Sequence, residues 1–172
     1  MPALGTTTGL RTAYASAPAG VDIWPTLELA HPYFTKTYYL TSAPAAFTAR
    51  LETTGNPTVT FQPFPFAVVL PTVDGAGQQD LQVTLTNADQ TIADEVQNAH
   101  HYPQLLISAV YREFLSTGDA TQLPQSAPLR LSFTSIQITE DAVSGVAGRS
   151  DVLNRRFPGV WYDVAKFPGL DR

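Results

Sequence analysis

The sequence predicts an all-β fold, an antiparallel β-sandwich or barrel with a short flanking helix, and three observations predict it. Fourteen prolines and eleven glycines in 172 residues interrupt regular structure too often for a helical bundle, and suit short strands joined by turns. Phe47, Ala49 and Leu51 alternate with Thr48, Arg50 and Glu52, the period of a sheet with one wet face. Leu81, Val83 and Leu85 alternate with Gln82, Thr84 and Thr86 in the same way, which makes that strand the clearest in the chain.

The remaining elements follow in order. Residues 1–9 are small, polar and without period, so they read as a flexible arm or a segment that only a partner orders. Leu10 to Ala17 reads as a short helix ended by Pro18 and Gly20. Asp22 to Ala30 and Tyr33 to Thr41 read as strands, with Pro25 marking an edge or a strand start. Gly55, Asn56 and Pro57 form a turn after Glu52. Thr58 to Leu70, punctuated by Pro63 and Pro65, is two strands with a bend. A helix near 88–99, capped by Asn87 or Asp89, turns Ile92 and Val96 inward and Asp94, Glu95 and Gln97 outward. Pro103 stops it.

Gln104 to Leu115 carries a dense apolar run that fits either a buried central strand or a helix. In Leu129 to Thr139, Leu129, Leu131 and Phe133 hold one parity while Ile136 and Ile138 hold the other. A bulge near Ser135 reconciles them, because one extra residue exchanges the faces of a strand. Asp141 to Gly148 reads as a turn leading into another strand or loop. The expected organisation is an arm and helix over 1–20, a β-sandwich over 21–152 and a C-terminal docking tail over 153–172.

Composition excludes several classes of function. Hydrophobic residues make up 44% and charged residues 15%, so the chain is globular, and so uncharged a surface suits contact with other proteins. A net charge of −5 with ten Lys and Arg in no stripe gives no footprint for nucleic acid. Without cysteine there is no disulfide, thiolate metal site or thiol nucleophile. Met1 to Gly20 lacks the basic start and apolar core of a signal peptide, and no run approaches the roughly 18 apolar residues of a membrane span. A cytoplasmic origin without membrane insertion is expected.

The chemistry-bearing residues form weak constellations. His100 and His101 are adjacent and point in different directions on either a strand or a helix, which suits the polar end of a helix better than a metal centre. No Gly-x-Ser-x-Gly elbow appears. Asp94 with Glu95 and Glu140 with Asp141 are the neighbouring carboxylates a sugar hydrolase needs, yet such neighbours mostly mark solvated turns and helix faces. The loop from Asp74 to Gly77 lacks the lysine and spacing of a phosphate cradle. No enzyme activity and no cofactor are expected.

One short sequence occurs twice near the end: Arg156, Phe157, Pro158, Gly159, then Lys166, Phe167, Pro168, Gly169, with Trp161 and Tyr162 between and Leu170 after. Proline fixes the backbone and glycine permits a turn, so each copy can present a phenylalanine on a rigid bend beside a positive charge. Such bends either dock into a neighbour or fold back onto the subunit's own core.

This tail, with Asn154, Phe157, Pro158, Tyr162, Phe167, Pro168, Gly169 and Leu170, follows a short N-terminal helix, a strand ending in His31 and Pro32, and a mid-chain strand and helix. The combination resembles a family of phage proteins known by a domain-of-unknown-function label, whose members resemble minor tail proteins of long-tailed phages. The tail is the specific part of the likeness, and Tyr33 to Thr41 departs from it, being aromatic and threonine-rich where a shorter aliphatic strand belongs.

The resemblance implies a sandwich similar to tail-tube and distal tail proteins, forming a ring at the tube's end, as minor tail protein M does in lambda-like tails. It implies partners in copies of itself, six in preference to three, and in tube and hub proteins, with residence in the virion after assembly in the host cytoplasm. Arg156, Phe157, Pro158, Trp161, Tyr162, Phe167, Pro168, Gly169 and Leu170 are the expected subunit contacts. The alternative is a carbohydrate- or receptor-binding sandwich that uses Trp24, Tyr38, Tyr39 or Trp161 as exposed stacking platforms.

Overall fold

A computed structural model of the chain describes residues 6–70, 81–86, 90–102, 106–139 and 142–148. In chain order these form α1 (Thr8–Ser16), β1 (Ile23–Ala30), β2 (Tyr38–Thr41), β3 (Phe47–Arg50), β4 (Thr58–Pro63), β5 (Phe66–Val69), β6 (Leu81–Thr86), α2 (Gln90–His100), β7 (Ser108–Leu115), β8 (Leu129–Ile138) and β9 (Ala142–Gly148). The strands make one sheet in the order β3-β4-β2-β1-β7-β8-β9-β6-β5. The fold is therefore all-β, as the alternation predicts, with both expected helices on it.

The sheet curls around one apolar cluster. Leu27 and Leu29 of β1, Leu81, Val83 and Leu85 of β6, Ala109 and Tyr111 of β7 and Phe133 of β8 all enter it, and α2 closes it with Ile92, Val96 and Ala99. Leu29 and Val83 belong to strands that are not neighbours in the sheet, yet they line the same small cavity of about 20 Å³. On the opposite face the β3–β4 hairpin packs Phe61, Ala49 and the nearby Leu51 against Phe114 of β7. The rings of Phe47, Phe61 and Phe114 lie 5.2 to 5.5 Å apart, within the range where aromatic pairs attract beyond their buried area.

β7 is thus covered on both sides, with every residue from Ala109 to Phe114 buried. Of the two readings open for this run, the central strand is the one adopted, at the fifth place of nine. β8 carries the expected bulge: Phe133 pairs with Ala147 and Ser135 with Val146, which leaves Thr134 as the extra residue. Ile136 packs against the core after it, whereas Ile138 stays exposed. α1 begins two residues earlier than expected because the Thr7 side chain accepts the Leu10 N–H, and it ends at Ala17 in the left-handed region.

Four expectations are corrected. Pro25 is neither at an edge nor at a strand start, but is the third residue of an internal strand, paired with Glu113. It is tolerated because a residue's N–H and C=O share one side of a strand. Its carbonyl accepts from Ser42 N and Thr41 Oγ1, both at 3.2 Å, so the missing donor faces the end of β2 and costs no rung to β7. The strand read over Tyr33 to Thr41 is only Tyr38–Thr41, residues 33–37 being turns and bends. The sheet is not wholly antiparallel, since β2 and β4 pair in parallel at Leu40 with Gln62 and Thr41 with Pro63. The cause is the hairpin's order: β4, its second strand, lies innermost, so the direction reverses twice between the neighbours. Glu95, placed on the wet face of the helix, is buried.

A Cβ added at Gly145 meets the Phe133 ring at 2.6 Å, so the ring packs directly on the β9 backbone. Gly145→Ala is expected to destabilise the fold by about 1–3 kcal/mol, the cost of overpacking a filled core. Thermal unfolding should show a midpoint several degrees lower, and an unchanged midpoint would contradict the packing.

Candidate functional site

Three arrangements of polar and apolar groups stand out on this frame, and two of them are locks. The first lies on the outer face of the sheet, where Arg112 sits on β7 with its side chain wholly out of solvent. Its Nη1 donates to Glu28 on β1 at 2.7 Å, and its Nε and Nη2 donate to the two oxygens of Glu52 at 2.8 and 3.1 Å. Arg130 on β8 reaches the same Glu52 carboxylate. Two arginines and two glutamates neutralise one another and join three strands to the segment after β3. Although burial alone pushes the Glu52 carboxyl up, the Arg112 hydrogen bonds hold it below its usual value.

The second lock fixes α1. Glu113, buried on β7, accepts from the Tyr111 hydroxyl at 3.0 Å and from the Tyr14 hydroxyl. The loop before β8 reinforces the contact: Gln125 N donates to Glu113 O and Thr7 N donates to Gln125 O, both at 2.8 Å. Burial, and then the Glu113 carboxylate, push the Tyr14 phenol up to about 12. At the far end of the core, Glu95 of α2 accepts from the Thr35 backbone N–H and hydroxyl, and Tyr33 stacks on Tyr102 at 3.8 Å. These contacts hold the 33–37 turn against the helix.

The third arrangement is a groove of about 700 Å³ between α2 and β8. Val96 and Ala99 wall one side, Ile107 and Phe133 form the floor, and Leu106 and Ile138 stand at the rim, 53% and 44% exposed. Thr134 and Ser135, turned out by the bulge, supply polar atoms along it. An apolar groove with a few hydroxyls suits a ligand or peptide with large apolar side chains.

The expected contact residues Arg156, Phe157, Pro158, Trp161, Tyr162, Phe167, Pro168, Gly169 and Leu170 all lie outside the described residues, as do Glu140, Asp141 and the 74–77 loop. Asp94 and Glu95 are not a working pair, because Asp94 is exposed while Glu95 is buried on Thr35. His31 is buried beside Phe34, and His101 is exposed after α2. Among the described residues no group of three His, Asp or Glu is placed to hold a metal ion, and no helix is long and apolar enough to cross a membrane.

Of the stacking platforms of the alternative reading, Trp24 and Tyr39 are half-buried and Tyr38 is buried. Tyr38 is 8% exposed, Trp24 packs on Phe47 at 4.9 Å and Tyr39 packs on Phe61 at 5.7 Å. Trp161 lies outside the described residues.

The locks set two expectations. Arg112→Met takes the Arg112 cation from Glu28 and leaves Glu52 with Arg130 alone, and should cost about 3–5 kcal/mol. Adding Glu28→Gln and Glu52→Gln should restore most of it in urea unfolding, and no recovery would mean that packing of the arginine, not its charge, is what counts. Because the Tyr14 phenol is raised on folding, its contribution is complete below pH 10 and is lost as pH rises through about 12. Tyr14→Phe should therefore weaken the stability loss between these values, and an identical alkaline profile would contradict the lock.

No curated protein matches the chain in sequence. Residues 9–162 match the model of a domain of unknown function, DUF1833. That span runs from α1 past the last described strand into the terminal segment, and the chain belongs to the DUF1833 family.

Proposed function

We propose that the chain is a structural subunit of a phage tail tip, a minor tail protein forming a ring that joins the tail tube to the hub. The observation that carries this reading is the doubled Arg/Lys-Phe-Pro-Gly tail, which resembles that of phage tail-tip proteins with a domain-of-unknown-function label. The architecture fits the role. The described residues alone assemble two apolar clusters, and in this reading the terminal aromatics serve contacts between subunits.

The polar locks at α1 and across the outer face, with the Glu95 contacts at the 33–37 turn, suit a subunit that keeps its shape while its neighbours change. In this reading the partners are copies of the chain, six in preference to three, with tube and hub proteins above and below. The chain is made in the host cytoplasm and ends in the virion. Its work is binding, without catalysis or cofactor.

Mass determination of purified tails should find the chain in a small integral copy number, and tails that lack it would remove the proposal. Deleting residues 153–172 should leave the β-rich circular dichroism spectrum and cooperative unfolding intact but stop tail maturation. Normal infectious particles from that truncation would count against the tail as the joining element.

A further inference from the structure

The geometry points to the groove between α2 and β8 as the seat of residues 149–172 of a neighbouring copy, an assignment that rests on the ring reading above. Three observations carry it. The groove is apolar and open at its rim, where Leu106 and Ile138 are exposed. The segment that follows β9 supplies large apolar side chains in Phe157, Trp161 and Phe167, each of which stabilises a contact that removes it from water.

Charge is complementary as well. Arg149, Arg155, Arg156, Lys166 and Arg172 outnumber Asp151, Asp163 and Asp171, so the net −5 of the chain is a basic terminus on a more acidic body. An acid flanks the groove: the exposed Asp94 lies one turn before Gln97 on the same stripe of α2. A phenylalanine next to Arg156 or Lys166 can enter the groove while its basic neighbour meets that acid.

The place where β9 ends favours a neighbour over the same chain. β9 is antiparallel to β8, and Gly148 stands opposite Ser132. The groove runs along β8 from Phe133 to Ile138, so a chain continuing in the direction of β9 leaves it behind. Reach is sufficient: Phe157 lies nine residues past Gly148, an extended span of roughly 30 Å, and Phe167 roughly 60 Å. A compact chain of this length has a radius of gyration near 16 Å.

The absence of cysteine makes disulfide trapping clean. Tails assembled from two versions of the full chain, one carrying Ile138→Cys and the other Phe157→Cys, should yield a cross-linked dimer under mild oxidation. It should form at least about tenfold faster than when Ala15→Cys, an exposed position on α1, replaces Ile138→Cys, because docking raises the local concentration. In a chain carrying both Ile138→Cys and Phe157→Cys, the bridge should again join two chains. A bridge formed only within one chain overturns the assignment to a neighbour, and a rate equal to the control overturns the groove itself.

Ile138→Asp, at the exposed rim, should leave unfolding unchanged and lower incorporation into tails at least about tenfold, the scale of losing one buried anchor. Full incorporation would also overturn the assignment. Tails that contain the chain as a ring but show no cross-link defeat the groove alone, whereas tails without the chain defeat the ring reading.

Discussion

Arg112 stands where the fold can least tolerate a mistake, on the central strand, with a core on one side and a hairpin on the other. A guanidinium with no access to water is stable only if carboxylates replace the water it has lost. Glu28 and Glu52 do so from two different strands' neighbourhoods, which fixes more than one ion pair. Glu52 follows β3, so its pairing with Arg112 decides where the β3–β4 hairpin folds back. From that position follow the aromatic cluster under the hairpin and the short parallel contact between β2 and β4. The desolvation cost of such a pair is large and its net gain small, so its chief effect is on register: any other placement of the hairpin strands a charge.

The two faces of β7 divide the labour. One face contributes Ala109 and Tyr111 to the main core, and the other contributes Phe114 to the hairpin layer. Glu113, on the core side near the strand's end, passes beyond the apolar cluster and meets the N-terminal helix through Tyr14. A single eight-residue strand therefore touches every layer of the molecule. The groove lies away from these locks, along the bulged half of β8, where the rim is exposed. Rigid anchoring thus lies at one side and an open apolar channel at the other.

Much of this frame was legible in the residues. The alternation of β6, the bend between β4 and β5, and the parity reversal that becomes the bulge at Thr134 are all local signals, and local signals survive folding. The parts that were not legible share a cause, which is that they depend on who lies next door. Tyr33 to Thr41 has strand composition throughout, yet Glu95 captures Thr35 and bends the first half into a turn. Glu95 itself looked solvated because its partner is sixty positions away. The Arg112 network had one available clue, an Arg-Glu pair inside an apolar run that reads as buried on both faces, since such a pair demands partners. The groove had none, because Val96, Ile107 and Ile138 come from three separate elements.

The sheet's two outermost strands, β3 and β5, are four residues long, and prolines crowd the second of them at positions 63, 65 and 71. An imide nitrogen donates nothing to a further strand. A chain with such borders is thereby guarded against accretion into fibrils, even though Val69 and Leu70 lie bare at that margin. Bare apolar surface is kept harmless here by the shortness of the borders that carry it.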